Sequence, residues 1–220
     1  MWFPFGRVSG GMRQIREEQI KEIKGRILKN HAITDIEFDQ FYPENIRSLS
    51  AIQWTPLKVI DRSLELLRLT SSDSVLDVGS GVGKFCIYAS MKCDANFNGI
   101  EKRNSLAEIS NALRIEFNLK NVQFKCGDMN SVDWYEHSVF YFYNPFFESL
   151  RGTGRIDGTV PHGLKPFSKS IHQAKECLKR TKSGTKVITF HSMGGKLPKD
   201  FILIHKEYCV SGDLEYYIKQ

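Results

Sequence analysis

Apolar positions change their spacing near Thr55, and the change divides the chain. Upstream, Met12, Ile15, Ile20, Ile23 and Ile27 recur at near-helical intervals and predict an amphipathic helix over residues 11–29, with Asn30 as its stop. Residues 31–53 carry Ile33, Ile36, Phe38, Phe41 and Tyr42 without a period and are expected to fold over the rest as a lid or brace. From Thr55 onward short apolar runs alternate with segments of helical period. Leu57, Ile60, Leu64 and Leu67 fall on one face of a helix over about 56–69, opened by Thr55 as N-cap and Pro56 in the first turn. Ser74–Val78, Phe97–Glu101, Val122–Cys126, Val139–Tyr143 and Lys186–Phe190 read as buried strands. Helices are predicted over 82–92, 105–118 (with a capping box Ser105…Glu108) and 166–180, and residues 147–165 read as a Gly-rich loop. Phe201–Val210 and Leu214–Lys219, joined at Ser211-Gly212-Asp213, predict an antiparallel hairpin.

This alternation implies an α/β three-layer sandwich, with a mostly parallel sheet covered by helices on both faces. Right-handed crossovers then gather every parallel strand's carboxyl end at one edge, where ligands bind in such folds. Two units are expected: residues 1–53, a basic helix plus brace, and residues 54–220, the α/β domain.

Composition narrows the classes. The chain has 220 residues, 41% hydrophobic and 25% charged, as in ordinary globular proteins. No apolar run approaches the roughly 20 residues needed to span a bilayer, so no membrane partner is expected. The opening Met1-Trp2-Phe3-Pro4-Phe5 is too short for the apolar region of a signal peptide, which makes the cytoplasm the expected location. Cys86, Cys93, Cys126, Cys177 and Cys209 are odd in number and scattered, which argues against a disulfide framework and a zinc site; no metal is expected. Residues 1–30 hold Arg7, Arg13, Arg16, Lys21, Lys24, Arg26 and Lys29 against Glu17, Glu18 and Glu22, or +4 of the net +6. That helix could steer toward nucleic acid, although a solvated helix face explains it as well.

The chemistry concentrates at predicted strand ends. Asp77-Val78-Gly79-Ser80-Gly81-Val82-Gly83-Lys84 follows the first strand. A dinucleotide site wants G-x-G-x-x-G, whereas here the spacing is G-x-G-x-G and Lys84 stands at the third glycine's place. A carboxylate just before the turn opposes a pyrophosphate but suits a ligand bearing cations and no phosphate, such as S-adenosylmethionine with its sulfonium and ammonium. Glu101 ends the second strand, where a carboxylate can accept both ribose hydroxyls. Asp128 is placed to accept from an adenine amino group or to cap a turn, with Met129 to pack on the base. His191 follows the fifth strand as a general base or, more simply, a lining residue.

Asp77-x-Gly79-x-Gly81-x-Gly83, Glu101, Gly127-Asp128 and Asn144-Pro145-Phe146, in this order, resemble class I S-adenosylmethionine-dependent methyltransferases over roughly residues 54–220. The resemblance implies strand order 3-2-1-4-5-7-6 with strand 7 antiparallel. It implies a cofactor site formed by Thr55, Asp77, Gly79, Ser80, Gly81, Gly83, Glu101, Lys102, Asp128, Met129 and Asn144. Asn144-Pro145-Phe146-Phe147 is similar to the Asn-Pro-Pro-aromatic motif of enzymes that methylate conjugated amino groups, with Phe146 in place of the second proline. In that role Asn144 and the Pro145 carbonyl would accept the amine hydrogens, and the aromatic rings would stack on a planar substrate and attract the sulfonium, worth roughly 0.5–2 kcal/mol.

The function expected is in-line methyl transfer to a nitrogen nucleophile of a small molecule or protein side chain, with nucleic acid also open. The glycine turn and acid also resemble non-SET lysine methyltransferases of nucleosomes, which admits a protein amine. Two other classes stay open at this point: a nicotinamide-dependent oxidoreductase on the same kind of sheet, and a non-catalytic S-adenosylmethionine-binding module. Oligomeric state is not encoded in any pattern found.

Overall fold

The computed structural model describes residues 10–150 and 156–220, with side chains from Gln14 onward. Arg7, Arg13, Met12 and part of the 147–165 loop, all singled out above, lie outside the described residues or side chains. In chain order the elements are α1 (Gly10–Leu28), α2 (Asp35–Asp39), α3 (Glu44–Arg47), α4 (Ser50–Gln53), α5 (Leu57–Leu67), β1 (Ser74–Val78), α6 (Lys84–Ser90), β2 (Asn96–Glu101) and α7 (Asn104–Glu116). Then come β3 (Val122–Cys126), β4 (Val139–Tyr143), α8 (Leu164–Lys179), β5 (Lys186–Phe190), β6 (Phe201–Cys209) and β7 (Gly212–Lys219).

The seven strands form one sheet in the order β3-β2-β1-β4-β5-β7-β6. β1 to β5 pair in parallel, and β7 runs antiparallel to both β5 and β6. Strand alternation splits the core into two clusters. Val75, Val139, Tyr141 and Ile188 face one side with α5, α6 and α7; Leu76, Phe140, Phe142 and Val187 face the other with α8 and Trp134. Ile20, Ile23 and Ile27 of α1, with Phe38, Phe41 and Ile46, belong to the first cluster. The N-terminal segment is therefore stacked on the α5–α7 layer.

Several local expectations are corrected. Ile15, counted into the buried stripe of α1, is exposed, and residues 31–53 contain three short helices. Asn30 does end α1, with φ 55°. Thr55 does not cap α5. Its hydroxyl lies 3.0 Å from the Tyr141 hydroxyl, while the Leu57 N–H donates to the Asp35 carboxylate at 3.0 Å. The Ser105…Glu108 capping box does not form, because the helix begins one residue earlier and Asn104 donates to Glu108 instead. A capping box is present where none was expected, between Thr34 and Glu37. The terminal hairpin pairs Cys209 with Gly212, so its loop is Val210-Ser211 rather than Ser211-Gly212-Asp213.

Candidate active site

β1 places Asp77 at the sheet's carboxyl edge and runs into a turn in which Gly79, Gly81 and Gly83 adopt φ of 81°, 54° and 76°. These left-handed conformations delay the following helix to Lys84, and side chains would strain there. Protein already fills the room a Cβ would take: Pro145 is 2.9 Å from the Cβ position at Gly79, and the Trp54 ring is 2.6 Å from that at Gly81. The turn is thus clasped between the Asn144-Pro145 motif and the N-terminal segment.

Lys84 does not simply stand in for a glycine. Its side chain is 2% exposed, and its ammonium lies 2.7 Å from Asp35 and 2.7 Å from Asp39. Asp39 also accepts a hydrogen bond from Ser50. One lysine at the glycine turn therefore ties down α2 and α4. Sequence reading missed this role; the available signal was a lysine in an otherwise apolar helix.

A cavity of about 1280 Å³ opens at this edge. Gly79, Gly81, Glu101, Lys102, Asp128 and Met129 line one end, and Asn144, Pro145, Phe146 and Phe147 line the wall beside them. Of the residues expected at the site, Thr55, Asp77, Ser80 and Gly83 lie behind that wall.

The Glu101 carboxylate accepts the Gly81 N–H at 3.0 Å and the Arg103 N–H at 2.8 Å. Burial raises its pKa, opposed by those amides and by the Arg103 charge. Two amides fix its orientation and leave acceptor sites on each oxygen. Asp77 is buried against the Cys86 thiol at 3.7 Å. Burial pushes its carboxyl up to about 8, Cys86 opposing and Glu101 adding, so it is held neutral near pH 7. Asp128 is exposed and caps the turn Met129–Ser131 through the Asn130 N–H.

Asn144 sits at φ 44°, donating its N–H to the Ser192 carbonyl at 3.2 Å and accepting the Phe147 N–H at 3.2 Å. Its side-chain amide has no partner among the described residues. His191 and Ser192 are also left-handed, with φ of 56° and 61°. Three strained non-glycine residues at adjacent strand ends mark a place where packing overrides backbone preference. The His191 imidazole rests on Gly212 and shares a hydrogen bond with Ser211 at 3.1 Å. Burial lowers its pKa, with Asp213 opposing. The ring lines the cavity and is held against the hairpin turn.

Arg103, unremarked in the sequence, crosses the cavity rim. It donates to Glu148 at 2.6 Å and Asp157 at 3.0 Å, and Glu148 in turn accepts the Ile156 N–H at 2.6 Å. Its adjacency to Glu101 at a strand end was the only local signal.

S-adenosylmethionine fits this donor set. Glu101 offers oriented acceptors to ribose hydroxyls, the buried Ser80 hydroxyl has no partner among the described residues, and the cations flanking the turn, Lys84 and Arg103, are already paired with Asp35, Asp39, Glu148 and Asp157. Among the described residues no group of His, Cys, Asp and Glu is assembled for a metal.

The family model of protein-L-isoaspartate(D-aspartate) O-methyltransferase (PCMT) matches residues 15–140, more than half of the chain. The chain belongs to this family. It is a class I methyltransferase with S-adenosylmethionine as cofactor, and the antiparallel β7 separates it from the nicotinamide-dependent fold. It is 45% identical over 56 residues to a tRNA (guanine-N(7)-)-methyltransferase of Synechococcus sp., a match spanning 25% of this chain and 24% of that relative. An RNA methyltransferase from Salinibacter ruber, solved with S-adenosyl-L-homocysteine, shares the fold at TM-score 0.54 and 22% identity, over 76% of this chain and 94% of that one. TrmN from Thermus thermophilus does so at TM-score 0.51 and 15% identity, over 73% and 48%.

Proposed function

We propose that this methyltransferase transfers its methyl group in line to a nitrogen nucleophile, an amino or amide group presented beside Asn144. The observation that carries the reading is Asn144 itself: a left-handed residue on the cavity wall whose side-chain amide has no partner among the described residues. Bound S-adenosylmethionine supplies an electrophilic methyl group. Asn144 and the Pro145 carbonyl accept the hydrogens of the amine and orient its lone pair, while Phe146 and Phe147 flank a planar acceptor. Glu101 holds the ribose, and the released proton leaves to water without a dedicated base. Alignment of this kind contributes up to about 7–11 kcal/mol. The match to a relative named for guanine-N(7) transfer supports nitrogen. The described part of residues 1–53 serves as a brace for residues 54–220.

The family's own description favours a second reading, transfer to a carboxylate oxygen. Incubating the protein with radiolabelled S-adenosylmethionine and fractionated cell extract, then treating the product with mild alkali, separates the two. N-methyl label survives; label released as methanol identifies an ester and overturns the nitrogen assignment. Asn144→Ala is expected to lower incorporation about 100-fold while leaving cofactor affinity within a factor of three, the pattern of a group that acts on the acceptor.

A further inference from the structure

We infer that the acceptor is an unpaired base of a single-stranded nucleic acid, whose phosphates are held by Lys165 and Lys169 of α8. The inference rests on the methyltransferase reading above and adds the substrate class. Both lysines line the cavity, are exposed, and meet no acid among the described residues. Of the other charges on the wall, Arg103 pairs with Glu148 and Glu101 is tied to backbone amides, while Lys102 and Asp128 lie at the Glu101 end. The acids Glu101 and Asp128 thus gather at the end that suits a cationic nucleoside, and Lys165 and Lys169 at the end left for the acceptor.

Spacing and size agree. Lys165 and Lys169 stand four residues apart on one helix face, roughly 6 Å along the axis, the scale of neighbouring phosphates on a strand. Between them and Asn144 the wall carries the Phe146, Phe147 and Phe167 rings, surfaces for a stacked base. At about 1280 Å³ the cavity exceeds the roughly 300–1,000 Å³ of a single small-ligand pocket and has room for a cofactor and a nucleotide together. A base must leave its stack to reach the strand edge, which selects an unpaired segment.

The basic N-terminal helix is the wrong platform. Arg16 is bound to Glu116 at 2.8 Å, Lys24 to the Phe117 carbonyl at 2.6 Å and Arg26 to Glu37 at 2.6 Å, all holding α1 in place. Among the described residues none from α1 lines the cavity, and α1 packs on the layer opposite α8.

The test uses the full chain saturated with S-adenosyl-L-homocysteine and fluorescein-labelled mixed-sequence 12-mers of RNA and DNA, read by anisotropy from 50 to 200 mM salt. For the tighter strand, Lys165→Ala with Lys169→Ala should weaken binding at least tenfold and flatten the log Kd against log salt slope by about 1.4, two phosphate contacts at about 0.7 each. Lys21→Ala with Lys29→Ala removes the same charge from α1 and the turn after it and should change neither. Equal effects of the two pairs would reduce the attraction to net charge and overturn the inference, as would tight binding of a glutamate-rich 12-mer peptide in place of both strands. Calorimetry with S-adenosyl-L-homocysteine keeps the failures apart: no cofactor binding sinks the methyltransferase reading, whereas normal cofactor binding without nucleic-acid binding sinks only this one.

Discussion

Asp77 offers the sharpest test of how this site recognises a cation. Its carboxyl is buried, has a thiol for a partner, and titrates at about 8 instead of near 4. Keeping it ionised in the protein alone costs on the order of 5 kcal/mol. A unit positive charge about 5 Å away at an effective dielectric of 20 returns about 3 kcal/mol, so the ammonium and sulfonium of S-adenosylmethionine together roughly offset that cost. Cofactor binding is therefore expected to expel the Asp77 proton. Between pH 6 and 7.5 the cofactor Kd should fall about tenfold per pH unit, and calorimetry in buffers of differing ionisation enthalpy should count close to one proton released. The same group sets the sign for stability. Its folded pKa lies above its unfolded one, so the stabilisation is complete below about pH 4 and is lost as pH rises toward 8, a decline that ligand-free protein should show in thermal scans. Asp77→Asn keeps the neutral form at every pH. It should remove that decline and weaken S-adenosylmethionine binding at pH 7.5 by about 10- to 100-fold, the loss of the through-space attraction between a buried carboxylate and the cofactor's cations. A wild-type Kd flat across this range, with no proton exchanged, would mean that the carboxyl stays neutral and serves only the turn.

Three further outcomes follow from the packing. Lys84→Met leaves Asp39 buried without its cation and should lower stability in urea unfolding by about 3–5 kcal/mol, and the Lys84→Met, Asp39→Asn double mutant should recover much of it; additive losses would refute the coupling. Gly212→Ala drives a methyl group into the His191 imidazole and should lower Tm clearly, yet do so far less in a His191→Ala background; an equal cost in both backgrounds would locate the strain elsewhere. Arg103→Leu abandons Glu148 and Asp157 and should cost roughly 2–3 kcal/mol, with weaker cofactor binding because Glu101 loses the adjacent charge; unchanged thermal unfolding would show that the rim ion pairs are solvated.

The sequence by itself determined the sheet and the edge at which chemistry happens. Apolar period and glycine placement act over a few residues, so β1, β3, β4 and β5 could be read to the residue, and the strand ends carrying Asp77, Glu101 and Asn144 could be put at one edge of the sheet. Helix starts were less legible, because Thr55 and Ser105 look like caps locally and are outcompeted by Asp35 and by an earlier start at Asn104. What only the tertiary structure decided is which charges are spent. Arg16 meets Glu116 a hundred residues away, Lys84 turns back to Asp35 and Asp39, and Arg103 reaches Asp157, while Lys165 and Lys169 meet no acid among the described residues. Asp77 reads as an ionised acid in the chain and becomes a neutral one when buried. Charge acts through space and through the surrounding dielectric, neither of which a linear pattern carries, so the same lysine or aspartate can be a fastener or a ligand until folding supplies its neighbours.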